Sequence, residues 1–211
     1  MNITLDYIRS FRNGQTDAEI IGNAKQPGDE WFIDHHDTYA WYRAIGVAKQ
    51  PQRILELGVR YGYSLLAMGA GSAKLEKIFG VDSEYDGIPS NAIAFSALKK
   101  AFPGIGISLL KEDTVNMRRE IVYFATTEYG RPQPPYDIVH VDGNHSPEGL
   151  ISELEIAESC IAADGWILVD DVDTHHVFKA AVEFTVMHEK NSLVIPTFHG
   201  MLLINMGSGN K

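Results

Sequence analysis

The sequence predicts an α/β fold with a doubly wound, mainly parallel seven-stranded sheet that ends in an antiparallel hairpin. Short, almost continuously apolar segments alternate with amphipathic segments of helical period, as expected when helices cover both faces of a parallel sheet. A glycine turn and a helix-compatible run follow the first apolar segment. The last two apolar segments are joined only by residues 196–200, which is too short for a parallel crossover.

Seven apolar segments are predicted as strands, and three of them end in aspartate. The aspartates are Asp82, Asp142 and Asp170. In chain order, we expect the strands at 53–56, 77–82, 106–110, 137–142, 166–170, 193–195 and 201–205. Ligands of such sheets bind outside the carboxyl ends of the strands, so these acids are candidate site residues.

Helices are predicted between the strands from apolar stripes at helical spacing. Ser146 and Pro147 combine a hydroxyl cap with a proline in the first turn, and the helix they begin should end at Asp164-Gly165. The prolines between 126 and 135 should keep that loop free of regular structure. The other predicted helical segments are 38–49, 65–68, 90–101, 115–126 and 174–189.

The composition suits one domain with a substantial core, since 45% of the 211 residues are hydrophobic. Acidic residues outnumber basic ones by 28 to 18, and no block of lysine and arginine interrupts the net charge of −10. We therefore expect no nucleic-acid surface. No apolar run approaches the ~20 residues of a membrane span, and the first residues lack a signal-peptide pattern. The single Cys160, in an apolar helical pattern, is expected in the core and fits a reducing, cytoplasmic compartment.

The turn after the first strand carries the most informative motif. It reads E-x-G-x-x-x-G, with Glu56, Gly58 and Gly62 at the fixed positions, and lacks the G-x-G-x-x-G of nicotinamide-binding loops. Glycine lets the backbone turn sharply and approach a ligand, and the following helix start offers free N–H groups. In these residues the chain resembles class I S-adenosylmethionine-dependent methyltransferases, in the branch of catechol O-methyltransferase and the metal-dependent natural-product O-methyltransferases.

The resemblance covers about residues 50–205 and implies both a fold and a cofactor. The implied fold is a Rossmann-like methyltransferase sheet with five parallel strands and a terminal hairpin. Residues 51–211 would form the S-adenosylmethionine-binding domain, and residues 1–50 a helical cap or lid. The implied cofactor contacts are Glu56, Gly58, Tyr61, Gly62, Ser64, Asp82, Asp113, Thr114 and Asp142.

Two acidic positions are assigned to opposite ends of the nucleoside. Asp82 ends the second strand, where nucleoside-binding sheets place an acid that accepts hydrogen bonds from ribose hydroxyls. Its alternative role is to cap the turn 82–84. Asp113 and Thr114 follow the third strand and resemble the adenine-side segment of the family. The alternative for this pair is an ordinary acidic loop.

Three aspartates are predicted to meet where the fourth and fifth strands end. Asp142, Asp170 and Asp171 would repel one another there unless a cation neutralised them. Hard oxygen ligands favour Mg²⁺, or else Ca²⁺ or Mn²⁺, over zinc. Metal-dependent O-methyltransferases place an aspartate and an acidic pair at these positions, so the resemblance implies a metal site. Catechol O-methyltransferase has asparagine as the last ligand, and this chain departs from it at Asp171.

His145 is the candidate general base. It stands three residues after Asp142, where relatives in this branch keep a histidine, and imidazole exchanges a proton near neutral pH. A solvated histidine beside the helix cap is the alternative. The roles of His35, His36, His175 and His176 stay open between pocket and surface.

The sequence therefore predicts an S-adenosylmethionine-dependent, divalent-metal-dependent O-methyltransferase that acts on a hydroxyl of a small molecule, such as a natural product or sugar. The alternatives are a metal-independent methyltransferase, a metal-dependent hydrolase or lyase on a similar fold, and a non-catalytic cofactor-binding module. The sequence names no acceptor, and it allows a homodimer.

Overall fold

The computed structural model describes residues 3–30, 33, 36–84 and 87–207. The strands of the described chain are β1 Arg53–Leu57, β2 Lys77–Asp82, β3 Gly106–Lys111, β4 Thr127–Glu128, β5 Arg131–Pro132, β6 Tyr136–Val141, β7 Ile161–Val169, β8 Asn191–Ile195 and β9 Met201–Asn205. Its α-helices are α1 Leu5–Arg9, α2 Asp17–Ile21, α3 Thr38–Lys49, α4 Tyr63–Ala70, α5 Ser90–Ala101, α6 Arg118–Thr126, α7 Pro147–Cys160 and α8 His175–Met187.

Seven strands form one sheet in the order β3-β2-β1-β6-β7-β9-β8. The pairs from β3 to β7 are parallel, whereas β9 runs antiparallel to both β7 and β8. The predicted fold class is therefore confirmed, including the terminal hairpin. The chain order reverses between β1 and β6, and such a reversal opens a crevice at the carboxyl ends of the strands.

The two faces of the sheet carry separate buried clusters because side chains alternate along each strand. In β1, Ile54 packs with residues of α3 and α4, whereas Leu55 and Leu57 pack with residues of α6, α7 and α8. Cys160 lies in the second cluster and is 1% exposed, as expected for a core residue. The same alternation directs Glu56 of β1 and His140 of β6 towards the face that α3 covers.

Strand register lines up the residues that carry the predicted chemistry. Leu57 pairs with Val81 on one side and with Val141 on the other, and Val141 pairs with Val169. The residues that follow these four therefore form one row along the sheet edge: Gly58, Asp82, Asp142 and Asp170.

Two local predictions were wrong. Helix α7 ends at Cys160 rather than at Asp164-Gly165, and the chain passes directly into β7. Tyr136 and Ile138 of β6 pair with Ile161 and Trp166, so extra residues of β7 bulge out where a turn was expected. The proline-containing loop 126–135 also contains a two-stranded hairpin, because Pro132 occupies an end position of a very short strand.

No helix in the described part of the chain has the length and apolar character needed to cross a membrane.

Candidate functional site

A cavity of about 800 Å³ opens at the carboxyl ends of β1, β2, β6 and β7. Its wall includes the glycine turn after β1, the loop after β3, the three predicted metal-site aspartates and the start of α3. Of the residues predicted to contact the cofactor, those on the cavity wall are Gly58, Tyr61, Ser64, Asp82, Asp113, Thr114 and Asp142.

The glycine turn has the backbone geometry that its sequence predicts. Gly58 has a φ of 92°, and a Cβ there would overlap the backbone of Asp142 and Gly143. Gly62 has a φ of 74° and is the N-cap of α4. Both positions favour glycine because L side chains rarely adopt this backbone conformation. The turn thus brings the backbone of β1 against that of β6.

Asp82 holds this turn through backbone hydrogen bonds. Its Oδ2 accepts from the N–H of Arg60 at 2.7 Å, and its Oδ1 accepts from the N–H of Glu84 at 2.7 Å. The capping alternative is therefore present in the structure. A carboxylate accepts up to about four hydrogen bonds, so Asp82 retains the capacity to bind a ligand hydroxyl.

Asp113 and Thr114 differ in what they contact. Asp113 Oδ1 accepts from the N–H groups of Val115 and Asn116 at 2.9 and 2.8 Å, which orders its own loop. Thr114 donates its hydroxyl to Oε1 of Glu153 at 2.8 Å.

Glu153 was not identified from the sequence. It lies on α7 with no exposed surface, and its Oε1 also accepts from the N–H of Asn144 at 2.9 Å. Burial raises its pKa to about 8. Its Oε2 has no hydrogen-bond partner among the described residues. In sequence it resembled an ordinary polar position of an amphipathic helix.

Glu56 does not line the cavity, although it was predicted to bind the cofactor. It is fully buried behind the wall, where its Oε1 lies 2.5 Å from Nδ1 of His140 and accepts from the Ser64 hydroxyl. It can therefore contribute to the site only through these neighbours.

His140 and Tyr42 continue this buried chain to the acidic side of the cavity. Nε2 of His140 lies 2.8 Å from the Tyr42 hydroxyl, which donates to Oδ2 of Asp170 at 2.7 Å. Burial lowers the pKa of His140, but the hydrogen bond to Glu56 and the charges of Glu56, Asp142 and Asp170 outweigh it, and the pKa rises to about 9. Neither Tyr42 nor His140 was identified from the sequence, since each reads as an ordinary core position.

Asp142, Asp170 and Asp171 all lie on the cavity wall, but they do not form one compact trio. Among the described residues, Asp142 belongs to two groups of possible metal ligands. One group contains His140 and Asp170, and the other contains His145 and Asp171. Within each group the ligand atoms lie within 4.8 Å of one another. Burial and the charge of Asp142 raise the pKa of Asp170 to about 7, and the same two causes raise that of Asp171.

His145 lies between two of these aspartates. Its Nε2 is 3.6 Å from Oδ1 of Asp142 and 3.2 Å from Oδ2 of Asp171. The ion pair with Asp142, opposed by burial and assisted by the charge of Asp171, raises the pKa of His145 to about 9. In this arrangement the imidazole is therefore an ion-pair partner.

The other histidines divide between the site and the surface. His176 contacts the carbonyl oxygen of His145, and His175 is exposed. The ring of His36 lies 3.8 Å from that of Phe198. His35 lies outside the described residues. His199, which the sequence did not suggest, lines the cavity.

The sequence profile of the methyltransferase domain family matches residues 55–172, which is more than half of the chain. The chain belongs to this methyltransferase family. The family predicted from the glycine turn and the strand-end acids is thus confirmed.

Solved structures similar to this methyltransferase include three from different organisms. The SAH-bound methyltransferase PaMTH1 of Podospora anserina is 20% identical, with a TM-score of 0.57, over 99% of this chain and 89% of that one. The SAM-bound O-methyltransferase TomG of Streptomyces achromogenes, involved in tomaymycin synthesis, is 15% identical, with a TM-score of 0.64, over 97% of both chains. An O-methyltransferase of Bacillus cereus in complex with SAH is 13% identical, with a TM-score of 0.56, over 97% of this chain and 91% of that one. A comparison with curated proteins finds no match.

Proposed function

We propose that this methyltransferase transfers a methyl group from S-adenosylmethionine to a hydroxyl of a small molecule, and that a divalent cation assists it. The observation that carries the proposal is the arrangement of the cavity. The turn that begins at Gly58 follows β1, Asp142 follows β6, and Asp170 and Asp171 follow β7, and all of these line one cavity. The solved structures with bound SAM or SAH, two of them described as O-methyltransferases, support the cofactor and the reaction.

The residues around the glycine turn fit the cofactor. Gly58 adds no side-chain atoms to the wall, and Tyr63 and Ser64 in the first turn of α4 also line the cavity. The N–H groups of a first helical turn have no partner within the helix and carry its positive dipole end. Asp82 would accept from ribose hydroxyls, and Asp113 and Thr114 would contact the adenine. When bound, S-adenosylmethionine supplies an electrophilic methyl group at its sulfonium.

The acids on the other side fit a hard divalent cation. Oδ1 of Asp170 is buried without a hydrogen-bond partner in the described structure, which is costly for a carboxylate unless a cation or proton satisfies it. Asp142 shares one group of possible ligands with Asp170 and a second with Asp171, so a cation held by Asp142 would have a further carboxylate close by in either group. Carboxylate oxygens are the ligands that Mg²⁺, Ca²⁺ and Mn²⁺ prefer. A cation held there would lower the pKa of an acceptor hydroxyl and fix its oxygen.

The remaining chemistry is assigned to His145. Its imidazole lies on the acidic side of the same cavity, where Asp142 and Asp171 raise its pKa. A cation that neutralised these carboxylates would lower that pKa again, and the neutral imidazole would then receive the proton that the acceptor hydroxyl loses. The acceptor oxygen would then take the methyl group from the sulfonium as the carbon–sulfur bond breaks, and S-adenosylhomocysteine would be the leaving group. The cavity walls position the acceptor, which typically supplies a large part of such an acceleration.

Calorimetry with S-adenosylhomocysteine and Mg²⁺ tests the two halves of the proposal separately. We expect the wild-type protein to bind both ligands, and to methylate members of a panel of hydroxylated compounds less well in excess chelator. Undiminished methyl transfer in chelator would identify a metal-independent methyltransferase. Failure to bind S-adenosylhomocysteine would contradict the cofactor assignment itself.

A further inference from the structure

We propose that Tyr42 is a positioning residue, which fixes the Asp170 carboxylate so that one of its oxygens is available to a divalent cation. This inference rests on the metal-dependent function proposed above. It concerns a residue of α3, which precedes the first strand of the sheet and contributes none of the predicted cation ligands.

Tyr42 reaches Asp170 because of how the sheet and α3 pack. Its side chain is 1% exposed and lies against the face of the sheet that also carries Glu56 and His140. Glu56 and His140 occupy paired positions on the neighbouring strands β1 and β6. The hydroxyl of Tyr42 therefore lies between His140 and the carboxyl end of β7, where Asp170 follows.

The hydrogen-bond directions leave little freedom to this hydroxyl. Because Asp170 Oδ2 can only accept as a carboxylate, Tyr42 donates its proton to it at 2.7 Å. The Tyr42 oxygen must then accept from Nε2–H of His140 at 2.8 Å. On the far side of the ring, Nδ1 lies 2.5 Å from Glu56, which also accepts from Ser64. Both sides of the His140 ring are thus held.

The consequence for Asp170 is an asymmetric carboxylate. Oδ2 is tied to Tyr42, whereas Oδ1 is buried and has no partner in the described structure. Asp170 lines the cavity and lies in the same ligand group as Asp142. A carboxylate held by one oxygen presents the other at a fixed position, and such support of metal ligands typically contributes about 10–100-fold to metal affinity.

Tyr42→Phe tests the inference directly, since it removes the hydroxyl and keeps the ring that packs under α3. We expect Mn²⁺ affinity, measured by calorimetry and by titration of the free-ion electron paramagnetic resonance signal, to fall about 10–100-fold. The spectrum of bound Mn²⁺ should change as well, because the ligand geometry changes. The affinity for S-adenosylhomocysteine should stay within about twofold of wild type, because the Tyr42 hydroxyl contacts His140 and Asp170 and none of the residues proposed to bind the cofactor.

Tyr136→Phe is the matched control. Tyr136 is also fully buried, and its hydroxyl donates to the carbonyl oxygen of Ala125 on the opposite face of the sheet, outside the cavity wall. It should lose comparable stability and keep its Mn²⁺ affinity. If both variants lose Mn²⁺ affinity equally, the effect is one of general stability and the inference is wrong.

Two further outcomes separate this inference from the proposed function. Wild-type affinity and an unchanged spectrum in Tyr42→Phe would overturn the positioning role and leave metal binding intact. A wild-type protein that binds no Mn²⁺ would overturn both. If Tyr42→Phe does not fold, His140→Gln serves instead. It disturbs the partner that orients the Tyr42 hydroxyl, and the inference requires a several-fold loss of Mn²⁺ affinity.

Discussion

The two sides of the cavity satisfy their acids in different ways. On the side of β1 and β2, both oxygens of Asp82 accept backbone N–H groups at 2.7 Å, and the turn is set by the backbone of Gly58. On the side of β6 and β7, Asp170 depends on the Tyr42 side chain and keeps one buried oxygen without a partner in the described chain. Burial and neighbouring carboxylates raise the pKa of Asp170 and Asp171.

This difference indicates that the backbone satisfies the acid on one side, whereas the acids on the other side depend on side-chain partners, protons or a bound cation. Backbone donors stabilise an acid without outside help, whereas closely spaced, half-buried carboxylates repel one another until a proton or cation neutralises them. Substitutions on the two sides should therefore have different effects. Those near β6 and β7 should affect cation binding and turnover, and those near β1 and β2 should affect stability and cofactor binding.

The largest effect is expected for Asp171→Asn. Loss of one ligand charge should lower methyl transfer by about three orders of magnitude, in keeping with the several kcal/mol that a catalytic cation supplies. S-adenosylhomocysteine binding, measured by calorimetry, should persist. Glu183→Gln is the control, because Glu183 is an exposed acid of α8 whose ion pair with Lys179 measures 3.9 Å. Full activity of Asp171→Asn would show that the charge of Asp171 is not needed, and full activity of Asp171→Ala as well would remove Asp171 from the ligand set.

The next largest effect is expected for Gly58→Ala. An alanine at this position must adopt a left-handed backbone conformation, and its Cβ overlaps the backbone of Asp142 and Gly143. We expect a loss of at least about 3 kcal/mol in the free energy of unfolding, measured with urea. Gly130→Ala has a similar φ of 73° but nothing within 4 Å of the new Cβ, so it should lose only about 1–2 kcal/mol. Equal losses would show that the close approach of β1 to β6 contributes nothing.

A smaller, pH-dependent effect on stability is expected at Glu153, which contacts Thr114 in the loop after β3 and Asn144 in the loop after β6. Burial raises its folded-state pKa to about 8 from an ordinary value of 4.5. Its contribution to stability is therefore fully present below about pH 4.5 and is lost as the pH rises through 8. Between pH 5 and pH 8, Glu153 alone should lower the free energy of unfolding of wild type by about 3 kcal/mol, and urea unfolding of Glu153→Gln should lack this part of the fall. An identical pH dependence in the two proteins would contradict this.

The sequence predicted the fold better than it predicted the buried polar residues of the site, for a physical reason. Strand periodicity and the glycine turn are local patterns, so β1, β2 and the row of strand-end aspartates followed from them. Tyr42, His140 and Glu153 matter because of contacts made across the sheet and between loops, and nothing near them in sequence distinguishes them from core positions. Glu56 shows the same limit, because its motif position was recognised but its burial behind the cavity wall was not.

The smallest effect is expected for Asp82→Asn. The substitution keeps one oxygen for the N–H of Arg60 or Glu84 and removes the charge that favours bonds from ribose hydroxyls. We expect about tenfold weaker S-adenosylhomocysteine binding, which corresponds to about 1.4 kcal/mol for a lost charge-assisted hydrogen bond. Mn²⁺ affinity should not change, because Asp82 lies across the crevice from the acidic cluster. Asp113→Asn is the comparison at the end of the cavity proposed for the adenine, and it should weaken S-adenosylhomocysteine binding less, because Asp113 already accepts hydrogen bonds from Val115 and Asn116 of its own loop. If Asp82→Asn weakened Mn²⁺ binding and left S-adenosylhomocysteine binding intact, the assignment of the cofactor to the side of β1 and β2 and of the cation to the side of β6 and β7 would be wrong.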